Sequence, residues 1–224
     1  MQIVSRSSTH QDWLDLLIQH RAVAVIRIND FQTGLKMAEA VAQSGMRLLE
    51  VTWNSDRPGQ LIEYLRTHLP HCTIGVGTVL SPYDLREAMT AGAQFAFSPH
   101  TDPKLIEFAV SQDFPLTAGA LTPSEIVTAW QAGAASIKVF PAQSVGGAQY
   151  VKNLQGPLGH IPLIPTGGIR CEEASGYLRA GAIAVGLAGC LFSKPLIQKQ
   201  DWPGLAEHIR VFRENLIAYS GSIY

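Results

Sequence analysis

Short apolar runs alternate with amphipathic stretches along the whole chain. Apolar residues at helical spacing around Trp13 and Leu17 are followed by a continuous apolar run at 22–28, and the same alternation then repeats. Such runs, rich in β-branched residues and bounded by glycine or proline, are typical of strands buried on both faces. We therefore predict strands at 22–28, 47–52, 73–77, 95–98, 115–118, 136–140, 162–165 and 183–186.

The stretches between these runs have the periodicity of helices with one buried face. Several begin with proline in the first turn, preceded by the capping candidates Ser81, Thr101 or Asp102, and Thr122. The predicted helices lie at 31–44, 59–68, 82–91, 103–112, 123–132, 148–155, 172–180 and 205–219.

Eight strand–helix units after an extra N-terminal helix predict an α/β fold of the (β/α)₈ TIM barrel type. The length of 224 residues is near the short end for this fold. No Ser/Gly-rich or Pro-rich linker divides the chain, so residues 1–224 are interpreted as one domain. An open doubly wound sheet is the alternative.

A weak internal repeat places a glycine at the end of four predicted helices, where a left-handed residue commonly ends a helix. The four glycines are Gly45, Gly92, Gly133 and Gly181. Five residues after each glycine come Glu50, Phe97, Lys138 and Gly186. Side chains of alternate barrel strands share interior layers, so this equal spacing predicts that Glu50 and Lys138 face each other inside the barrel.

Lys138 lies within an otherwise apolar strand and needs a physical explanation. A buried ammonium either pairs with a carboxylate or has a lowered pKa and becomes a nucleophilic amine. An amine of this kind attacks a ketone to form an imine, and a nearby carboxyl such as Glu50 moves protons to and from the adduct. A structural ion pair and a lysine whose head reaches solvent at the strand end are the alternatives.

Polar residues at the carboxyl ends of the strands are the candidates for binding substrate, because active sites of these barrels lie on that face. The candidates are Arg27, Asn54, Thr78 and Ser98, with Pro99 beside them. A strand-end threonine bonded to backbone is an equally good interpretation of Thr78. Arg27 either reaches the space beside Glu50 or pairs with a surface carboxylate.

Two glycine-rich segments follow the seventh and eighth strands, Thr166-Gly167-Gly168 and the stretch from Gly186 to Gly189. Loops at these positions form the phosphate site of many barrels, because glycine lets backbone N–H groups approach phosphate oxygens. Taken alone, each cluster is more often a tight turn. Together they predict a phosphate site, which Arg170 is close enough in sequence to assist.

Composition and charge exclude several classes of function. A net charge of −1 gives no basic surface for nucleic acid, and no apolar run approaches the length that spans a bilayer. The first residues have no apolar signal core, so a cytoplasmic protein without membrane association is expected. The three cysteines are scattered and no metal-ligand set is apparent, so neither a disulfide framework nor a metal site is predicted.

These residues together resemble the class I 2-keto-3-deoxy-6-phosphogluconate and 4-hydroxy-2-oxoglutarate aldolases, over nearly the whole chain. The matching motifs are Ala24-Val25-Ile26-Arg27, Leu49-Glu50-Val51-Thr52, Gly75-Val76-Gly77-Thr78-Val79-Leu80, Ser98-Pro99, Ile137-Lys138-Val139-Phe140-Pro141-Ala142 and Pro165-Thr166-Gly167-Gly168-Ile169. The resemblance implies a homotrimeric barrel that needs no metal or organic cofactor. It also implies that Lys138 forms an imine with pyruvate, that Glu50 is the acid/base and that the Thr-Gly-Gly turn binds phosphate.

The sequence departs from this family pattern at two positions. Asn54 stands where many members carry an arginine that grips the substrate carboxylate, and Asn54-Ser55 looks more like the related 2-keto-3-deoxy-6-phosphogalactonate aldolases. Ala188-Gly189 stands where Gly-Ser is usual, which removes one hydroxyl donor to phosphate. These departures give two alternatives to a gluconate-type aldolase, which are a galactonate-type substrate and unphosphorylated 4-hydroxy-2-oxoglutarate. Two further alternatives are a phosphosugar isomerase or epimerase with the same barrel and phosphate turn, in which Lys138 and Glu50 only pair, and a non-catalytic phosphometabolite-binding barrel.

Overall fold

The computed structural model describes residues 7–220, so the first six and last four residues of the predicted domain 1–224 lie outside the described part. Within it, each predicted apolar run forms a parallel strand. The strands are β1 (Ala22–Ile26), β2 (Leu48–Thr52), β3 (Thr73–Gly77), β4 (Ala96–Phe97), β5 (Leu116–Ala120), β6 (Ser136–Val139), β7 (Leu163–Pro165) and β8 (Val185–Leu187).

The eight strands form one sheet in the order β7-β6-β5-β4-β3-β2-β1-β8. The ends of this sheet meet, because Thr166 beyond β7 forms a parallel bridge with Gly186 of β8. The backbone N–H of Ile183 also donates to the carbonyl of Leu163 across the same gap, at 3.0 Å. The sheet therefore curls into a nearly closed barrel. The predicted (β/α)₈ fold is confirmed, and the open doubly wound alternative is wrong.

Helices connect consecutive strands on the outside of the barrel, one further helix precedes β1, and two follow β8. They are α1 (Ser8–His20), α2 (Phe31–Gln43), α3 (Pro58–His68), α4 (Pro82–Thr90), α5 (Pro103–Ser111), α6 (Pro123–Gln131), α7 (Gly147–Leu158), α8 (Ala174–Arg179), α9 (Lys194–Gln198) and α10 (Trp202–Ser220). Among the described residues, no helix is both long enough and apolar enough to cross a membrane.

Helix ends follow the local sequence signals closely. Ser81 and Thr122 accept hydrogen bonds from backbone N–H groups of the first turns of α4 and α6, as predicted. At α5 the cap is Asp102 rather than Thr101, whose hydroxyl donates instead to the carbonyl of Gly119. The four glycines of the internal repeat all have positive φ, between 86° and 103°, which confirms their helix-ending role.

Some predicted boundaries are wrong by a few residues. β4 contains only Ala96–Phe97, although the backbone N–H of Ser98 still donates to the carbonyl of Thr117 at 3.0 Å, and the Ser98 hydroxyl bonds to the backbone of His100. The helix predicted at 172–180 begins as a 3₁₀ turn, Cys171–Glu173, before α8. Beyond β8, the sequence pattern did not reveal the short helix α9.

Two hydrophobic cores hold the barrel. The larger lies between the strands and the surrounding helices, whereas the smaller fills the barrel interior. Trp13 of α1 belongs to the interior core, where its indole stacks on Phe95 at 4.3 Å and its Nε1 donates to the hydroxyl of Thr117 at 3.3 Å. Helix α1 therefore closes one end of the barrel, and the opposite end, where the strands finish, is left for polar side chains.

Candidate active site

Lys138 provides the amine of this polar end. It lies in the middle of β6, paired in register with Gly119 of β5 and Ile164 of β7, and its side chain is only 5% exposed. Its Nζ lies 5.8 Å from the ring centroid of Phe97 and 5.0 Å from that of Phe140. Burial lowers the pKa of the Lys138 ammonium, Glu50 opposes that effect, and Arg27 adds to it. The neutral, nucleophilic amine therefore forms at a lower pH than it does in an exposed lysine.

Glu50 occupies the interior face of β2 and is 1% exposed. Its carboxyl group extends over Gly77 of β3, since a Cβ built at that glycine would lie 1.6 Å from Oε1. In the described part of the chain, Oε1 has no hydrogen-bond partner. Burial raises the pKa of Glu50, and Lys138 and Arg27 only partly offset that rise. A protonated carboxyl in this position is able to donate a proton.

Lys138 and Glu50 affect each other electrostatically but form no direct ion pair in the described structure. This arrangement disfavours the structural ion pair, because such a pair would use the unpartnered Oε1. It also disfavours a solvent-reaching lysine, since Lys138 is buried. The amine and the carboxyl are therefore close enough to act on each other electrostatically without being joined as an ion pair.

Arg27 and Thr78 lie beside this pair. The Nη2 of Arg27 donates to the hydroxyl of Thr78 at 3.3 Å. The charge of the guanidinium acts to lower the pKa of both Glu50 and Lys138. No carboxylate of residues 7–218 forms an ion pair with Arg27, so the surface salt bridge considered from sequence is absent there. Thr78 has a φ of 59°, an uncommon conformation for threonine that marks a constrained position.

Three other predicted substrate ligands lie around the rim. Asn54 is exposed in the turn after β2. The hydroxyl of Ser98 donates to the carbonyl of His100 at 2.8 Å and accepts from its N–H at 3.2 Å, so it braces the loop after β4. Pro99 and Phe140 line an open cleft of about 380 Å³ between the loops that follow β4 and β5.

The predicted phosphate turn follows β7 directly. Gly167 and Gly168 have φ values of 94° and 76°, and Cβ atoms at these positions would lie 2.9 Å from the Phe140 ring and 2.8 Å from Cβ of Gln143. Only glycine fits both the backbone and the space. Thr166 is bridged to Gly186 and is buried, whereas Gly189 is exposed in the loop after β8.

The structure therefore brings the two glycine segments side by side through the Thr166–Gly186 bridge. It does not bring Arg170 to them as a free cation, because this side chain pairs with Glu173 at 2.7 Å and Glu172 at 3.4 Å. Among residues 7–220, no cluster of three or more His, Cys, Asp or Glu side chains is suited to hold a metal.

Two features of the site escaped sequence reasoning. Phe140 lies two residues after Lys138. Its ring lies near the Lys138 amine on one side and packs against Gly167 on the other. Gly77 provides the space that the Glu50 carboxyl occupies. The signal for Phe140 was present, since residues two apart on a strand point to the same side. The need for Gly77 depends on contacts across strands, which the sequence pattern does not give.

Comparison with known proteins identifies the family. Residues 15–207 match the family of KDPG and KHG aldolases. The chain is 30% identical over 204 residues to the 2-dehydro-3-deoxy-phosphogluconate aldolase of Haemophilus influenzae, covering 91% of this chain and 96% of that one. It is 35% identical over 156 residues to the KHG/KDPG aldolase of Escherichia coli K12, covering 70% of this chain and 73% of that protein.

Among solved structures, the chain resembles the KDPG aldolase of Legionella pneumophila, in which pyruvate was captured at low pH as a covalent carbinolamine intermediate. The TM-score is 0.82 at 28% identity, covering 89% of this chain and 97% of that chain. A buried amine of lowered pKa facing a buried carboxyl is the arrangement that carbinolamine chemistry requires. The chain belongs to the KDPG and KHG aldolase family and is a carbon–carbon lyase.

Proposed function

We propose that this chain is a class I aldolase that cleaves 2-keto-3-deoxy-6-phosphogluconate to pyruvate and glyceraldehyde 3-phosphate through an imine on Lys138. The observation that carries the proposal is the burial of Lys138, whose pKa is lowered, opposite a Glu50 carboxyl with an unpartnered oxygen. The named relatives support the substrate class.

The reaction begins when the neutral Lys138 amine attacks C2 of the keto acid. Glu50 in its protonated form donates a proton to the oxygen that leaves as water, which produces a cationic imine and a carboxylate. These two opposite charges stabilise each other in a pocket with little solvent. The raised pKa of Glu50 and the lowered pKa of Lys138 therefore fit the resting state of this sequence.

Bond cleavage uses the charges created in the first step. The Glu50 carboxylate takes the proton of the C4 hydroxyl, the C3–C4 bond breaks, and its electrons pass to the imine nitrogen to give an enamine. The aldehyde departs at this stage. Glu50 then returns the proton to C3, and hydrolysis of the imine releases pyruvate and restores both side chains.

Arg27 and Thr78 hold the keto-acid carboxylate in this proposal. Asn54 offers a hydrogen-bond donor but no charge. The Arg27 guanidinium, in contrast, donates a hydrogen bond to the Thr78 hydroxyl and acts electrostatically on Glu50 and Lys138. A charged fork of this kind is suited to a carboxylate. Ser98 and Pro99 shape the adjoining loop, with the Ser98 hydroxyl bound to His100.

The phosphate group binds at the backbone of Thr166, Gly167 and Gly168, with Gly186 and Gly189 on the neighbouring loop. Two observations support this site. Gly167 and Gly168 have positive φ and no side chain, so a phosphate group can approach their backbone closely. The Thr166–Gly186 bridge joins the two glycine segments. Because Ala188-Gly189 lacks a hydroxyl donor, 4-hydroxy-2-oxoglutarate, which has no phosphate, is a second substrate to test.

Trapping with borohydride tests the covalent step. Incubation with pyruvate and sodium borohydride is expected to fix one reduced pyruvate on Lys138, as measured by intact mass and peptide mapping. The exposed Lys152 serves as the internal control and should remain unmodified. An adduct on another lysine, or none, would favour a phosphosugar isomerase or epimerase or a non-catalytic binding barrel instead.

A substrate panel then separates the remaining candidates. Pyruvate release is measured from the gluconate-type and galactonate-type phosphorylated acids and from 4-hydroxy-2-oxoglutarate. We expect the highest kcat/KM for the gluconate type. A preference for the galactonate type would instead connect Asn54-Ser55 with the opposite C4 stereochemistry.

We also propose that the chain acts as a single domain, without metal or organic cofactor, in a homotrimer in the cytoplasm, as the family resemblance implies. Size-exclusion chromatography with light scattering measures the mass of the assembly, which should be about three times the chain mass of 24.3 kDa. A mass of one or two chains would contradict the trimer.

A further inference from the structure

A cluster of basic side chains lies at the end of the barrel opposite the proposed active site. His20 is the last residue of α1, Arg47 directly precedes β2, and Arg213 lies in the middle of α10. All three side chains line one small cavity, which also borders Ala22 at the start of β1. Because the strands begin here, the cavity lies on the amino-terminal face of the barrel, away from the strand ends that carry the proposed chemistry.

Arg213 packs against the turn that ends α2. Gly45 in this turn has a φ of 86°, and a Cβ built on it would lie 3.3 Å from Nη1 and 3.4 Å from Cζ of Arg213. A side chain at this position would therefore crowd the guanidinium. The glycine lets the guanidinium lie close to the backbone, at the edge of the cavity.

Arg47 is held by the same turn. Its Nη1 donates to the carbonyl of Ala42 at 3.1 Å and to that of Met46 at 3.4 Å. The C-terminal end of a helix carries roughly half a negative charge, so these bonds offset only part of the charge on Arg47. Burial raises the pKa of the nearby Cys72 thiol, which therefore stays neutral and supplies no counter-charge.

No carboxylate among residues 7–218 forms an ion pair with any of these three basic side chains. The rest of the cavity wall is apolar and consists of Ala22, Met46, Phe212, Leu216 and Ile217. Charges interact more strongly beside such walls than in water. Burial lowers the pKa of His20, and the charges of Arg213 and Arg47 lower it further. The cluster therefore has an excess of positive charge.

We propose that His20, Arg47 and Arg213 form an oxyanion site that binds a phosphate or sulfate group. Two guanidinium forks suit the oxygens of such a group, and its two negative charges balance the two arginines. The enclosed space is about 10 Å³, roughly the volume that admits one water-sized sphere. One oxygen therefore enters while the rest of the group stays at the mouth, where a phosphate monoester also fits. This site does not depend on the catalytic function proposed above.

The His20 imidazole reports directly on this site. Protein isotope-labelled at histidine Cε1 is followed by NMR, and the signal that His20→Gln lacks identifies His20 among the seven histidines. Titrations of pH with and without sulfate, at an ionic strength balanced with chloride, measure its pKa. Sulfate keeps both charges throughout the range in which histidine titrates. A bound dianion should raise the pKa of His20 by about one unit, the lower end of the effect of an opposite charge within about 4–6 Å.

Linkage gives a second expected result. If bound sulfate raises the pKa of His20 by about one unit, sulfate must bind about tenfold more tightly when His20 is protonated than when it is neutral. Sulfate titrations of the His20 signal, well below and well above its pKa, measure the two dissociation constants. The value at low pH should be about tenfold smaller.

Arg213→Gln should weaken sulfate binding by roughly tenfold or more, as expected for the loss of hydrogen bonds to a charged group. Removing this charge also raises the pKa of His20 without sulfate, so the comparison uses only the change that sulfate produces. Arg210→Gln is the matched control, because it removes the same charge from α10 at a residue already paired with Glu207 and Glu214. It should leave the effect of sulfate unchanged.

Inorganic phosphate and glycerol 3-phosphate are then titrated at one pH to identify the source of the group. A saturable shift of the His20 signal by both supports a site open to monoesters, and a shift by inorganic phosphate alone supports a site for the free anion. An unmoved His20 pKa in the wild-type protein would overturn the proposal, because an anion bound only at the loops after β7 and β8 lies at the other end of the barrel. A shift that chloride reproduces, or that persists in Arg213→Gln, would also overturn it.

Discussion

At the scale of single residues, the environment of Glu50 decides what it can do. The carboxyl is buried over Gly77, its Oε1 is without a partner among residues 7–218, and its pKa is raised by burial. A side chain in this state exchanges protons with a bound substrate more readily than an exposed glutamate does. These properties fit both of the proton transfers assigned to it.

Glu50→Gln tests these transfers directly. Glutamine keeps the volume and removes the titrating group, so the fold should persist while pyruvate release falls on the order of 10²–10⁴-fold. Steady-state assays measure the loss, and thermal unfolding checks the fold. Turnover within a few-fold of wild type would remove Glu50 from proton transfer.

Arg27→Met isolates the role of the guanidinium. Methionine retains much of the apolar stem but cannot hold a carboxylate, so pyruvate affinity should weaken by roughly 1.5–3 kcal/mol, the range for hydrogen bonds to charged groups. Competition by pyruvate against substrate measures this change. Arg86→Met, at an exposed position on α4, is the control and should leave affinity unchanged.

Adding Asn54→Arg to Arg27→Met is expected to restore part of the affinity, because it returns a charge to the turn after β2. Unchanged pyruvate affinity in Arg27→Met alone would mean that other groups, such as backbone N–H groups near Thr78 and Ser98, hold the carboxylate.

Sequence reasoning reached Lys138 and Glu50 because the glycine repeat fixes the register of alternate strands. It could not decide between an ion pair and a separated pair, since that depends on side-chain conformation inside the barrel. It also left Arg27 divided between the space beside Glu50 and a surface ion pair. The side chain is exposed, it forms no ion pair among residues 7–218, and its guanidinium contacts Thr78 and acts electrostatically on Glu50.

At the scale of elements, the turn after β7 combines a structural and a binding requirement. Gly167 has a φ of 94° and faces the Phe140 ring, so any side chain there is strained by its backbone and crowded by its neighbour. The turn was predicted from its glycines, but its packing against Phe140 was not, because that contact joins different strands.

Gly167→Ala should therefore destabilise the protein by about 1–3 kcal/mol, the cost of a strained backbone position. It should also raise KM for a phosphorylated acid while leaving that for 4-hydroxy-2-oxoglutarate much less affected. Gly156→Ala in α7 is the matched control, since no heavy atom lies within 4 Å of its added Cβ and helix propensity favours alanine. Equal changes in KM for both substrates after Gly167→Ala would argue against phosphate binding at this turn.

Helix α1 shows the limit of pattern reasoning at this scale. Its apolar spacing predicted an amphipathic helix, but not the surface it covers. Of the partners of Trp13, Phe95 lies just before β4 and Thr117 lies in β5, and their closeness to Trp13 depends on closure of the sheet. Sequence periodicity identifies elements more readily than it identifies contacts between distant ones.

At the scale of the whole molecule, barrel closure and the active site share residues. The Thr166–Gly186 bridge completes the ring of strands and also brings the two glycine segments together. The alternation of strands and helices was sufficient to predict this fold. This arrangement also costs stability, because Lys138 is held inside the barrel, where burial opposes its protonation.

Replacing that lysine should therefore stabilise the protein. The unfolded chain binds a proton at Lys138 up to its ordinary pKa, whereas the folded barrel, with a lowered pKa, releases that proton at a lower pH. Lys138→Met removes this penalty and should raise the free energy of unfolding by about 0.5–2 kcal/mol at neutral pH, a common gain when a functional strain is relieved. The gain should shrink as the pH rises toward the ordinary lysine pKa, because the unfolded state then loses its proton as well.

Denaturant titrations across this pH range measure the difference, with the exposed Lys152→Met as a control expected to change little. A Lys138→Met variant that is no more stable than wild type, or whose advantage grows with pH, would mean that Lys138 remains charged in the barrel and is a poor nucleophile.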